Sequence, residues 1–124
     1  MGQGIVIKAG GNRFEGELND SVTGRAIYDA LSIRANGQRW GGEIYFGIDV
    51  SCELEEGSRD VMEEGELGYW PPGQAFCIFF GPTPASGGDE IRAASAVNIV
   101  GRIKGGLSGL QDVPDGAEVC IEKS

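Results

Sequence analysis

The chain contains no histidine. This absence excludes Ser-His-Asp and Cys-His catalytic arrangements, metal sites with histidine ligands, and histidine as a general base. An enzyme built from this sequence would have to rely on carboxylates, arginine, tyrosine or backbone groups. Of all the features of the composition, the lack of histidine restricts the possible chemistry most.

Cysteine and basic residues are also scarce. The three cysteines, Cys52, Cys77 and Cys120, are odd in number and form no Cys-x-x-Cys pair, which argues against a disulfide framework and a zinc site. Lys and Arg number 10 against 19 Asp and Glu, so the net charge is −9. Nucleic acids and anionic membranes bind clustered basic residues, so neither is expected as a partner. No cofactor and no metal site is predicted.

Long apolar runs are missing as well. No segment reaches 18 consecutive apolar residues, and the first residues lack the features of a secretory signal. We therefore expect a cytoplasmic protein. A length of 124 residues predicts a single domain over residues 1–124.

Glycine, in contrast, is abundant, with 22 residues spread along the chain, which favours many tight turns between short strands. The most informative segment is 67–84, which holds four of the five prolines. Within it, residues 70–73 (Trp-Pro-Pro-Gly) predict a turn in which Gly73 supplies any positive φ. Residues 76–80 predict a buried strand. Its alternation places Phe76, Ile78 and Phe80 on one face and Cys77 and Phe79 on the other.

The remaining segments predict further strands and one helix. Residues 3–18 predict a hairpin, and residues 43–50 alternate apolar and polar side chains, so that Tyr45 lies on the face opposite the core. A helix is predicted from Val22 to Leu31, with capping candidates at residues 19–21. Its apolar stripe is Val22, Ala26, Ile27, Ala30 and Leu31.

Two connections and two late strands complete the prediction. Residues 53–66 carry seven carboxylates and predict a solvated hairpin or loop, and residues 85–96 predict a long loop with room for one helical turn at 89–94. Strands are predicted at 97–103 and 117–123. Seven or eight strands and one helix favour a mainly β fold, and a closed or nearly closed barrel leaves the fewest open edges.

Several of these segments resemble those of a family of small prokaryotic cyclophilin-like proteins. The resemblance is carried by residues 16–21, by 39–46 (Arg-Trp-Gly-Gly-Glu-Ile-Tyr-Phe) and by the proline-rich run 69–84. Residues 73–78 and 97–107 are similar to strands of cyclophilins themselves. The resemblance implies a closed eight-stranded cyclophilin-type barrel. It implies no settled activity, because the family is largely uncharacterised.

The positions that carry isomerase chemistry in cyclophilins differ here. By the resemblance, the catalytic arginine falls on Tyr45, the phenylalanine of the proline pocket on Cys77, the glutamine on Ala75 and the histidine on Val97. The 85–96 segment has no tryptophan. These departures argue against an efficient peptidyl-prolyl isomerase.

The first functional hypothesis is therefore a binding module that holds a small molecule or an extended peptide in an outer groove of the barrel. Aromatic residues outside the core mark such grooves, although these rings are also able to pack under the helix or the long loops. The predicted binding residues are Arg39, Tyr45, Trp70, Phe79, Asn98 and Arg102.

Three alternatives remain. A weak prolyl isomerase would use Arg39 or Arg102 in place of the missing arginine. An enzyme using carboxylates would use Glu43 and Asp49, which are predicted to be exposed on a strand. A regulatory partner for another protein is suggested only by the small size and acidic charge.

Overall fold

The computed structural model describes residues 2–124 and is mainly β, with one α-helix. The helix α1 spans Val22–Ala30. The strands are β1 (Gln3–Ala9), β2 (Asn12–Leu18), β3 (Ile33–Asn36), β4 (Gln38–Trp40), β5 (Glu43–Gly47), β6 (Arg59–Met62), β7 (Glu66–Trp70), β8 (Ala75–Phe79), β9 (Ile91–Lys104) and β10 (Glu118–Lys123).

All ten strands belong to one antiparallel sheet. The strand order is β3-β10-β1-β2-β9-β7-β8-β5-β4, and β6 pairs with β9 outside this path. Between the end strands β3 and β4 no ladder is formed in the described chain, so the prediction of a closed eight-stranded barrel is not confirmed. Only one residue separates β3 from β4 in the sequence, but the two strands do not pair with each other.

The predicted loop at 85–96 was wrong in its second half. Strand β9 begins at Ile91, six residues before the predicted start, and the predicted helical turn at 89–94 is absent from this segment. Residues 91–96 are mostly small and give no apolar alternation, so their strand structure comes from pairing with β6 rather than from the local sequence. Strand β6 likewise lies inside the acidic connection 53–66.

The two faces of the sheet bury two different apolar clusters. The larger cluster contains Phe76, Ile78 and Phe80, together with Ile44 and Phe46. The smaller cluster, on the opposite face, contains Cys77 and Phe79, and Tyr45 packs against it. The predicted alternation along β5 and β8 is therefore confirmed, because side chains one residue apart point to opposite faces. The second face is also covered, so it forms a small core of its own.

Helix α1 begins as predicted. Ser21 is its N-cap, and the Ser21 hydroxyl accepts a hydrogen bond from the backbone N–H of Gly24 at 3.0 Å. Ile27 is fully buried against the larger cluster, but Val22 is 74% exposed. The buried face of the helix instead carries Thr23, Gly24 and Ile27, so the places of Val22 and of the exposed Ala30 in the predicted apolar stripe were wrong.

The turn at 70–73 is a short 3-10 helix, Pro71–Gly73. The residue with positive φ is Gln74, at 47°, and not Gly73 as predicted. Gly73 serves a different purpose, because a Cβ on it would lie 2.8 Å from the ring of Trp70. The turn therefore lets the indole of Trp70 pack onto the main chain.

A buried tyrosine fixes the segment that follows β5. The Tyr69 hydroxyl donates a hydrogen bond to the Val50 carbonyl at 2.5 Å and accepts one from the Cys52 N–H at 3.2 Å, and the residue is fully buried. We expect Tyr69→Phe to lower the free energy of unfolding by about 1–3 kcal/mol, because two backbone groups lose their partner. Urea unfolding measures this. Tyr45→Phe is the control, since its hydroxyl bond is exposed, and an equal loss in both variants would contradict the expectation.

Candidate ligand-binding pocket

A pocket lies on the sheet face that carries the smaller cluster. We call it the aromatic pocket, and its volume is about 120 Å³. Strands β4, β5, β7, β8 and β9 all contribute to its walls. A dry protein cavity of about 150 Å³ holds a benzene molecule, so this space suits a chemical group of similar or smaller size. The lining residues are Trp40, Glu43, Tyr45, Trp70, Cys77, Ala93, Ala94 and Val97.

Glu43 is the buried acid of the aromatic pocket. It was predicted to be exposed, but it is only 6% exposed. The prediction was wrong because the outer face of β5 is covered by Trp40 and by the wall that β9 supplies. Its Oε1 atom is buried and has no hydrogen-bond partner among residues 2–124. Buried polar atoms without a partner are rare in folded proteins, so Oε1 marks a place where a donor is missing.

The electrostatics of Glu43 follow from this burial. Desolvation raises the pKa of Glu43 from 4.5 to about 7, and interaction with the Cys77 thiol lowers that pKa by a smaller amount. Burial, together with the neighbouring Glu43 charge, raises the pKa of Cys77 well above its usual value. The thiol therefore stays protonated near neutral pH, and thiolate chemistry is not favoured. Glu43, in contrast, changes charge near neutral pH.

The aromatic walls are held by polar contacts at their edges. Trp70 lies over Gly73 and donates a hydrogen bond from Nε1 to Ser95 Oγ at 2.7 Å. The Tyr45 hydroxyl donates to Gln38 Oε1 at 3.1 Å. Trp40 is opposite Glu43 in the β4–β5 ladder. The three rings thus come from three strands, β7, β5 and β4, and surround one carboxyl group.

An irregularity in β9 keeps the pocket open. Between Arg59 and Val61 of β6, the paired residue on β9 changes from Val97 to Arg92. Strand β9 therefore bulges at residues 93–96, and two alanines from this bulge, Ala93 and Ala94, line the pocket. Small side chains at these positions leave the space unfilled.

A glycine allows the floor of the pocket to close. A Cβ on Gly68 would lie 3.0 Å from Val97 Cγ2 and 3.1 Å from Phe79 Cε2. The missing side chain lets Val97 and Phe79 approach each other over β7.

Two of the six predicted binding residues line the aromatic pocket, namely Tyr45 and Trp70. Phe79 lies beneath it, fully buried in the smaller cluster. The positions that the family resemblance assigned to isomerase residues also meet here. Tyr45, Cys77 and Val97 line the pocket, and Ala75 belongs to the same cluster.

The two predicted arginines lie elsewhere. Arg39 donates hydrogen bonds to the carbonyls of Gly41, Gln111 and Val113, and its guanidinium carbon is 5.1 Å from the centre of the Phe80 ring. These contacts tie β4 to the chain after β9. Arg102 is exposed and lines a separate, acidic groove. Neither arginine lines the aromatic pocket.

Asn98 is a buried structural residue. Its Nδ2 donates to the Glu53 carbonyl at 2.9 Å and to Thr23 Oγ1 at 3.0 Å, and its Oδ1 accepts from the Glu55 N–H at 2.7 Å. Only 2% of the residue is exposed. Asn98 thus anchors the 53–55 segment to helix α1, away from the pocket.

Comparison with known proteins identifies the family. The family model described as Cyclophilin-like matches residues 3–122. The chain belongs to the cyclophilin-like family. A solution structure of a hypothetical protein from Archaeoglobus fulgidus is 45% identical, covers 99% of this chain and 95% of its own, and superimposes with a TM-score of 0.84. No curated protein matches.

Residues 2–124 of this cyclophilin-like chain contain neither a cluster of metal-ligating side chains nor a helix that could span a membrane. Over residues 2–124, no group of three or more Cys, Asp or Glu is placed to hold a metal ion. None of the helical segments in that range has the length and apolarity that crossing a membrane requires.

Sequence reasoning missed Glu43, Trp40 and Ala94 as pocket residues. Glu43 could have been predicted, because it lies two residues before Tyr45 on the same strand and therefore on the same face as that predicted binding residue. Trp40 had another signal, since it directly precedes the Gly41-Gly42 turn and therefore lies opposite Glu43 in the hairpin. Ala94 had none, because the bulge that exposes it arises from the pairing of β6 with β9.

Proposed function

We propose that this cyclophilin-like protein is a binding module whose aromatic pocket holds a small molecule or one group of an extended peptide. The observation that carries the proposal is a buried carboxyl group in an aromatic-walled pocket: Glu43 lines this pocket, and its Oε1 atom has no hydrogen-bond partner in the described chain. Ligand sites in proteins typically combine apolar and aromatic walls with a few convergent polar groups. This pocket has that composition.

The prolyl isomerase alternative has less support. That chemistry, as implied by the family resemblance, needs a guanidinium at the prolyl nitrogen, and the pocket lining described above contains no arginine. Arg39 is committed to three backbone carbonyls. Binding without isomerisation is therefore the function that the geometry favours.

The test combines a ligand screen with a variant whose larger side chain fills the aromatic pocket. A panel of metabolites and proline-containing peptides is screened by ligand-induced shift of melting temperature, and hits are confirmed by NMR titration. We expect Ala94→Trp to weaken binding of any hit at least about tenfold, because an indole occupies the space that the ligand needs. Ala85→Trp, at another exposed alanine, should leave affinity unchanged.

Two outcomes would contradict this proposal. One is that no compound or peptide in the panel binds. The other is that hits bind Ala94→Trp as tightly as the unmodified protein, which would place their site elsewhere. An exchange measurement on an X-Pro peptide is run in parallel, and turnover that Ala94→Trp abolishes would favour the isomerase instead.

A further inference from the structure

We infer that the aromatic pocket selects a protonated primary amine, with an ammonium N–H donating to the Glu43 carboxylate and the attached methylene groups lying against the aromatic walls. This inference rests on the proposed function and names the ligand class of the same site. It is carried by the unpartnered oxygen, the charge around it and the nature of the walls.

The carboxylate needs a cationic partner that the pocket lining does not provide. Glu43 Oε1 is buried and unpartnered within residues 2–124, and the side chain is only 6% exposed. A buried ionised carboxylate without a partner is strongly disfavoured, and a hydrogen bond from a cation relieves that penalty most effectively. A ligand with a positively charged hydrogen-bond donor would supply both the missing hydrogen bond and the missing compensating charge.

No basic side chain of the described chain fills this role. Arg39 on β4 is held by backbone carbonyls, as shown above, and Arg92 on β9 is paired with Asp60 at 2.9 Å and Glu90 at 3.3 Å. Neither contributes to the pocket lining. The positive charge has to come from outside the protein.

The walls favour a cation over an anion or a polar neutral group. Trp40, Tyr45 and Trp70 line the space around the carboxyl. Aromatic faces attract ammonium groups, most strongly where water is displaced, and aromatic cages recognise quaternary ammonium and methyl-lysine groups in this way. A volume of about 120 Å³ admits an ammonium with a short aliphatic chain. The rest of a larger ligand would extend past the exposed Ala94.

Binding should release a proton below neutral pH. The titratable residues that line the pocket with Glu43 are Tyr45 on its own strand and Cys77 on β8, whereas the lining residues from β4, β7 and β9 carry no titratable group. Because the pKa of Glu43 is raised to about 7, most of its carboxyl groups are protonated at pH 6. An ammonium that binds there displaces this proton to solvent, and at pH 8 there is little proton to displace.

The experiment compares n-butylammonium with 1-butanol, which has the same chain and an uncharged donor. Isothermal titration at pH 8 is expected to give at least about tenfold tighter binding of butylammonium. Between pH 8 and pH 6 its affinity should fall about tenfold, in proportion to the ionised fraction of Glu43, while the affinity of butanol changes little. The amine itself stays protonated, since such groups have a pKa near 10.4.

Variants separate the two proposals. Glu43→Gln should remove the preference for butylammonium and its pH dependence, and Ala94→Trp should remove binding of both probes. Equal affinity for both probes, or a preference that survives in Glu43→Gln, would overturn the amine assignment but leave the binding module intact. Absence of binding by either probe and by the whole metabolite panel would overturn both.

A second measurement does not depend on the folding of Glu43→Gln. The carboxyl carbon of Glu43 is titrated by NMR in the unmodified protein, with and without saturating butylammonium. The pKa of Glu43 is expected to move down by about one unit or more in the complex, because the cation favours the carboxylate. An unchanged midpoint would overturn the inference.

Discussion

The contribution of Glu43 to the free energy of unfolding is expected to fall by about 3 kcal/mol as the pH rises from 4.5 to about 7. In the unfolded chain the carboxyl titrates near 4.5, whereas burial raises the pKa of Glu43 to about 7 in the folded protein. Between these values the folded state binds more protons than the unfolded state. Stability therefore decreases with rising pH in this window, and it is unaffected by Glu43 below it.

Urea unfolding of the protein and of Glu43→Gln at several pH values from 4 to 8.5 measures this contribution. Other acids act in the opposite sense, because the pKa of Glu90 is lowered by the Gly87 N–H and that of Glu122 by Lys8. The informative quantity is consequently the difference between the two proteins. We expect Glu43→Gln to gain stability relative to the unmodified protein as the pH rises.

The matched control is Asp49→Asn, which neutralises an exposed acid just beyond the same strand. Its stability difference from the unmodified protein should stay nearly constant over this range. A flat difference for Glu43→Gln as well would show that the Glu43 carboxyl titrates normally, and would contradict the burial described here.

Asn98→Ala is expected to lower the free energy of unfolding by about 3 kcal/mol. The truncation leaves the Glu55 N–H and the Glu53 carbonyl without their partner, and it removes the link to Thr23. Because Asn98 does not line the aromatic pocket, binding of pocket ligands should be retained under folding conditions. Chemical unfolding and ligand titration measure the two effects.

Asn36→Ala is the control for this prediction. Asn36 also donates a side-chain hydrogen bond to a carbonyl, that of Gly116 at 3.0 Å, but the bond is exposed to solvent. We expect a loss below about 1 kcal/mol there. If both variants lost the same stability, or if Asn98→Ala abolished ligand binding while remaining folded, Asn98 would act in the site rather than in the framework.

Local pattern was sufficient for the parts of this fold in which each strand buries an apolar face. The alternation of Ile44, Tyr45 and Phe46 predicted which side chains face the larger core, and the structure confirms it. The cap at Ser21 was likewise visible, since capping depends on residues within one turn.

Features set by distant pairing were not predictable in the same way. The first part of β9 has small side chains and becomes a strand because β6 lies beside it. Strand β9 also forms part of the pocket wall that buries Glu43. The sequence therefore indicated on which face of β5 Glu43 lies, but not that this face is covered. Closure of the barrel could not be predicted locally either, because it depends on whether the end strands β3 and β4 pair, and no local sequence pattern determines that pairing.

The pairing of β9 also bears on how quickly the chain folds. Its residue Gly101 lies opposite both Leu18 of β2 and Leu67 of β7, so one strand joins the beginning of the chain to its middle. Such nonlocal registers require long loops to close before any stabilising contact forms, and proteins dominated by them fold on the order of milliseconds to seconds. The aromatic pocket, whose wall is this strand, should thus be completed late, and nascent chains that lack residues 91–104 should be unable to retain a ligand.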